Sequence, residues 1–109
     1  MRHNIILAPQ AMRDLDRLKA RVRASVKDAI ETHLRHEPRK LSRSRIKRLR
    51  GLAHPQYRLR VDDVRVFYDV TELEVEVLAV VAKSDAEKWL KQFGEPGDTG
   101  EYNEESGTI

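Results

Sequence analysis

The chain contains no cysteine, which excludes a disulfide framework, a thiolate nucleophile and a cysteine-ligated metal. Aromatic residues are few, at 6%, and no apolar run approaches the ~18 residues of a membrane span. The opening Met1-Arg2-His3-Asn4 lacks the apolar stretch of a signal peptide. A soluble, cytoplasmic protein with no membrane role is expected. His33 and His36 stand three apart, short of the usual ligand pair, and His3 and His54 are isolated. Neither a metal site nor any other cofactor is therefore expected. At 109 residues there is room for one core and no internal repeat to suggest otherwise.

What the chain does have is charge, unevenly placed. The net charge is +3. Residues 95–109 hold five acids and no base, so the preceding 94 carry 21 bases against 13 acids, a net of +8. Residues 39–50 contain seven bases (Arg39, Lys40, Arg43, Arg45, Lys47, Arg48, Arg50) and no acid. A cluster of this kind suggests a polyanion partner, most simply nucleic acid. The acidic segment from Glu95 has almost nothing to bury and is expected to be an unstructured tail, leaving residues 1–94 as the domain.

Asn4 to Ala8 reads as a short strand and Pro9 as the first turn of a helix. Met12, Leu15, Leu18 and Val22 form an apolar stripe, followed by Val26, Ile30 and Leu34. The pattern fits one helix or two. Because the first strand needs something folded back on it, a hairpin breaking near residues 19–24 is expected. Glu37-Pro38 closes this region. Residues 57–61, 64–70 and 74–81 then read as three strands joined by turns at Asp62-Asp63 and Thr71-Glu72-Leu73. The unbroken apolar run Val77 to Val81 suits a central strand covered on both faces. Ser84-Asp85-Ala86-Glu87 has the form of a capping box opening a last helix. In that helix Ala86, Leu90 and Phe93 share a face with Trp89 beside them, and Gly94 ends it. The order β, α(α), β, β, β, α predicts an α+β domain: an N-terminal strand, a helical hairpin, a three-stranded antiparallel meander and a C-terminal helix.

Arg58 and Arg60 are two apart on a strand, so their side chains leave the same face. Arg65 lies just past a short turn and reaches Arg60 only if the register holds, since a slip of one residue flips it away. Lys83 ends the following strand. Four cations at one end of a sheet, with no carboxylate in residues 57–61 or 64–68, invite an anion, and the forked guanidinium suits phosphate. The competing reading is a solvated face whose arginines pair with Glu72, Glu74 or Glu76.

The run Leu49-Arg50-Gly51, then Tyr57-Arg58-Leu59-Arg60-Val61, then Val64-Arg65-Val66-Phe67-Tyr68 and finally Val77 to Lys83 resembles the RelE branch of the RelE/ParE toxin superfamily, over roughly residues 3–93. The resemblance implies the microbial RNase fold of that superfamily and the toxin of a type II toxin–antitoxin pair. It implies an endoribonuclease that cleaves mRNA on the ribosome without metal and so inhibits translation. In this reading Arg58, Arg60, Arg65 and Lys83 are catalytic. The implied partners are the ribosome, mRNA and a cognate antitoxin with an acidic or amphipathic wrapping segment; DNA is met only through the antitoxin. Relatives carry a tyrosine in the last helix, and here that place falls on Glu87 or Trp89. Glu87 is a candidate base, weighed against its capping role, and Trp89 a base-stacking residue, weighed against the core. Tyr57 is expected to edge the site, and Arg43, Arg45, Lys47, Arg48 and Arg50 to contact ribosomal RNA. Two other functions fit the same fold: a ParE-like inhibitor of DNA gyrase without nuclease activity, and a basic RNA-binding module without chemistry.

Overall fold

Alternation along the strands decides which side of the sheet each residue serves. The computed structural model describes residues 2–97 and contains β1 (Asn4–Leu7), α1 (Pro9–Arg17), α2 (Ala20–Leu34), β2 (Ile46–Arg48), β3 (Leu52–His54), β4 (Tyr57–Val61), β5 (Val64–Val70), β6 (Glu74–Ala82), α3 (Ala86–Phe93) and β7 (Glu95–Pro96). The main sheet has the order β1-β6-β5-β4-β2, and β3 pairs with β7 in a second, two-stranded sheet. Only β1 runs parallel to its neighbour in the main sheet. The α+β architecture with its helical hairpin, meander and C-terminal helix is as expected, and the apolar run of β6 is central, between β1 and β5.

One face of the sheet, with Leu59, Val66, Tyr68, Val75 and Val77, packs on Ala11, Leu15, Val26, Ile30 and Leu34 of the hairpin. The Tyr68 hydroxyl is buried and donates to the Pro38 carbonyl at 2.7 Å, and burial drives its pKa upward. The opposite face holds a smaller core of Leu52, Phe67, Ala79 and Leu90, with Leu49, Val81, Ala86 and Trp89 around it.

The hairpin breaks at Leu18-Lys19, at the leading edge of the expected window, where both residues turn extended. Arg23 explains the position. Its guanidinium donates to the carbonyls of Leu15 (2.9 Å), Asp16 (3.1 Å) and Leu18 (2.7 Å), satisfying the acceptors that a helix end leaves open. Asp14 docks α1 on the sheet. Register between β1 and β6 stops at Leu7 and Val77, and the Val80 N–H beyond it donates to Asp14 Oδ2 at 2.9 Å. Asp14→Ala strands that buried donor and should cost about 1–3 kcal/mol, read as a lower urea midpoint, with Asp14→Asn recovering most of it. An unchanged midpoint would mean that α1 is held by apolar contact alone.

Four local expectations are corrected. Residues 39–50 are not a separate basic stretch, because Ile46–Arg48 forms the edge strand β2. The capping box does not form: Lys83–Asp85 make a 3-10 turn, Asp85 takes the cap position, and no side chain caps α3. The chain is turned there by the bond from Lys83 N to the Asp63 carbonyl, 2.7 Å. Phe93 is 52% exposed rather than part of the apolar face. Glu95 and Pro96, assigned from sequence to the tail, pair with β3, and Gly97 N donates to the Gly51 carbonyl at 2.9 Å. The rest of the tail expectation falls on residues 98–109, outside the described residues. Gly94 does end α3, though not through left-handed backbone: a Cβ there would lie 2.5 Å from the Leu90 carbonyl oxygen.

Candidate functional site

Two cross-strand rows build the site. Lys47 of β2 stands opposite Arg58 of β4, which stands opposite Phe67 of β5, which stands opposite Ala79 of β6. In the next row Arg60 faces Arg65, and Arg65 faces Val81. The Arg60 N–H also donates to the Arg45 carbonyl at 2.8 Å, so Arg45 continues this row past the end of β2. Because side chains alternate, Lys47, Arg58, Arg60 and Arg65 all belong to the face that carries the smaller core. The expected meeting of Arg60 and Arg65 therefore occurs, and Lys47 joins it.

The three arginines play different parts. Arg65 is 6% exposed, and its Nη1 donates to the carbonyls of Asp62 (2.8 Å) and Val64 (3.0 Å). It clamps the β4–β5 turn, where Asp62 sits at a φ of 51°, a conformation that aspartate tolerates better than most residues. Arg58 is half-buried, and its Nε is enclosed without a hydrogen-bond partner. Arg60 is exposed. Burial first, then Arg65 and Arg60, push the Arg58 pKa below the ordinary guanidinium value. Burial and Arg60 do the same to Arg65, against Asp63. Arg58 and Arg65 stay cationic at physiological pH, and their shifts record burial first and mutual repulsion second. Among the described residues no ion pair reaches any of them, which removes the pairing with Glu72, Glu74 or Glu76 that a merely solvated face required. Uncompensated like charges held on a rigid sheet favour a bound anion.

Lys83 is exposed at the end of β6, and its backbone bond to Asp63 places it beside the same β4–β5 turn as Arg60 and Arg65. Glu87 is exposed on α3 in a recess with Ser84, Lys88, Lys91 and Gln92, and none of the arginines lines that recess. Trp89 stacks on Phe67, with ring centroids 5.2 Å apart and planes 7° from parallel, so its face is already occupied. Tyr57 is buried on the hairpin side of the sheet and stacks on Tyr68 at 5.5 Å. Arg48 lies over the Tyr57 ring at 5.3 Å and donates to the carbonyls of Leu49 (3.1 Å) and Gln56 (2.7 Å). Tyr57 and Arg48 thus stand apart from the cationic face, whereas Arg43 and Arg50 are exposed. The sequence does not foretell the tie between His54 Nδ1 and Asp69 Oδ2, 2.6 Å, nor Asp69 Oδ1 accepting from Gln56 N at 2.8 Å. These groups are 15 and 13 residues apart, beyond any local spacing signal, and they anchor the β3–β4 connection to β5.

No curated protein matches. In structure, the chain is similar to the toxin–antitoxin complex RelBE2 from Mycobacterium tuberculosis, at a TM-score of 0.65 and 24% identity, covering 75% of this chain and 99% of that one. It is also similar to the archaeal RelE–RelB complex from Pyrococcus horikoshii OT3, with a TM-score of 0.63, 21% identity, and 76% and 97% covered. The E. coli DinJ–YafQ toxin–antitoxin complex gives 0.61, 16% identity, and 77% and 96%. Residues 5–87 match the family model of the ParE toxin of the type II toxin–antitoxin system parDE. That match spans most of the chain and includes both hairpin helices and all the strands that carry the arginines, so the protein belongs to the ParE toxin family and is a type II toxin of the RelE/ParE superfamily.

Proposed function

We propose that this toxin is a metal-independent endoribonuclease that cuts mRNA on the ribosome. The observation that carries the reading is the cationic face itself: Arg58, Arg60 and Arg65 lie in adjacent cross-strand positions with no ion pair among the described residues. In-line attack by a ribose 2′-hydroxyl on the adjacent phosphorus forms the new P–O2′ bond, the hydroxyl proton passes to water, and the bond to the 5′-oxygen of the next nucleotide breaks as that oxygen takes up a proton. The products are a 2′,3′-cyclic phosphate and a 5′-hydroxyl. Arg58 and Arg60 hold the phosphate oxygens and offset the charge that builds in the pentacoordinate transition state. Such preorganised charge acts strongly where water is excluded. Arg65, fixed by two carbonyls, holds the turn that positions Arg60 and adds its field. Lys83, beside the same turn through its backbone bond to Asp63, is assigned here to protonating the leaving 5′-oxygen, since Glu87 opens onto a different recess. The solved relatives are complexes with antitoxins, which supports a cognate antitoxin for this chain too, with an acidic segment over the cationic face.

One observation favours a second reading. The matching family model is that of ParE toxins, and gyrase inhibition needs no phosphate-holding set. Purified toxin added to a translating extract separates the two. Cleaved mRNA with 2′,3′-cyclic phosphate and 5′-hydroxyl ends is expected, with no effect on DNA supercoiling. Intact mRNA together with blocked supercoiling would establish the gyrase reading, and 5′-phosphate ends would overturn the 2′-hydroxyl mechanism.

A further inference from the structure

Beside the cationic face, on the side of α2, two recesses open that share His33 and Arg45. The first, about 180 Å³, lies between the end of α2 and the segment leading into β2, with His36, Lys40 and Ser42 among its walls. The second, about 420 Å³, continues past Ser44 to Arg60 and Asp62. Arg60 thus stands both on the cationic face and in the wall of the second recess, so the three features form one continuous surface. At ~30 Å³ for each water, the smaller recess has room for a phosphate group with part of its hydration. Its chemistry suits one. Lys40 and Arg45 are cations, and His33 and His36 offer ring N–H donors. The one carboxylate in this wall, Glu37, is paired with Lys40 at 3.7 Å, so those two charges offset each other and Arg45 supplies the net positive charge. Ser42 Oγ accepts from the backbone N–H groups of Arg45 (2.9 Å) and Ile46 (3.0 Å), which holds the recess rim to the start of β2 and fixes where Arg45 leaves the chain.

We infer that bound RNA does not end at the cationic face but continues over the β2 edge, with a phosphate remote from the cut seated between His33 and Arg45. The inference rests on the proposed RNA substrate and assigns its path. It gives Arg45 and His33 binding roles separate from the chemistry at Arg58 and Arg60. His33 adds a proton linkage. Burial and then Arg45 hold its pKa below the ordinary histidine value, with Asp28 opposing. A phosphate seated beside it favours the protonated ring. Between the lowered value of the free protein and the raised value of the complex, binding takes up a proton, so RNA binds tighter as pH falls. Arg45, Asp28, His36, Glu37 and Lys40, with Arg60 and Asp62 across the second recess, are the charged or titratable groups that face this ring.

The probe is a labelled single-stranded 2′-O-methyl RNA, which lacks the attacking hydroxyl and reports binding without cleavage. Fluorescence anisotropy across a salt series is expected to show Arg45→Gln binding more weakly to every sequence tried. Its log–log salt slope should be shallower by about 0.7, the increment for one single-strand phosphate, and Arg45→Lys should restore the slope. His33→Gln should flatten the dependence of affinity on pH between 5.5 and 7.5. Neither variant should lower the thermal midpoint, which controls for folding. An unchanged slope and affinity in Arg45→Gln overturns the path. So does loss of binding to an acidic antitoxin peptide alone, which would assign the recess to that partner. The outcome is separable from the nuclease reading: a toxin that cuts nothing but shows the slope change keeps the path and loses the reaction, and the reverse keeps the reaction and loses the path.

Discussion

Arg60→Gln should lower mRNA cleavage in a translating extract by about 10²–10³-fold while leaving the thermal midpoint where it was. Arg60 is exposed, and among the described residues its guanidinium makes no ion pair. Its structural tie is the backbone bond to Arg45, which glutamine keeps. The substitution therefore removes a charge and little else. Arg60→Lys keeps the charge but loses the fork, and should fall between the two. Arg65→Ala is the less informative change. The Arg65 side chain holds the carbonyls of Asp62 and Val64, so its loss should reduce stability as well as activity. Arg58→Gln should reduce cleavage without destabilising the protein, because it relieves a repulsion between neighbours. Wild-type cleavage by Arg60→Gln would mean that this face does not hold the scissile phosphate.

The largest effect on stability should come from Phe67→Ala, about 3–5 kcal/mol. A small domain has a total of about 5–15 kcal/mol, so much of the population would unfold. Phe67 is fully buried and has Trp89 stacked on one side and the sheet on the other. The core around it is small, four buried residues, and cannot close over the missing ring. Trp89 is the only tryptophan, so its emission follows α3 leaving the sheet during urea titration. Phe67→Leu, which keeps most of the volume, should cost less than about 1.5 kcal/mol. If Phe67→Ala unfolds at the wild-type midpoint, α3 is held by something other than this stack.

Strict alternation made β4 legible from sequence, and with it the shared face of Arg58 and Arg60, while β5 was legible from its β-branched and aromatic residues. The pairing of Arg60 with Arg65 was legible as a condition, since it depended on a two-residue turn whose register only the folded chain settles. β2 was not legible. Three residues, Ile46 to Arg48, are too few to show a period, and their bases read as part of a basic segment with no element of its own. The result was a single cationic surface divided into two. A signal was nevertheless present: Ile46 lies between Arg45 and Lys47, an apolar residue flanked by bases, as in β4. The capping box misled because motif spacing cannot register that β6 extends to Ala82 and that Asp63 then fixes the turn. Trp89 and Tyr57 were open between binding and packing in sequence, and their stacking partners, Phe67 and Tyr68, lie 22 and 11 residues distant, out of reach of any local pattern.

The strand order has a consequence for the way such a chain is made. β6, an interior strand of the main sheet between β1 and β5, is the last strand of that sheet to leave the ribosome, and it pairs with β1, the first of them to be made. Asn4 waits for Glu74, and β5 lacks a neighbour on one side until residues 75–82 emerge. Contacts of such long range form late. A chain released before β6 is complete therefore has neither a closed core nor a fixed cationic face. Interrupted synthesis of this toxin therefore yields fragments in which the arginines are present but not held in place.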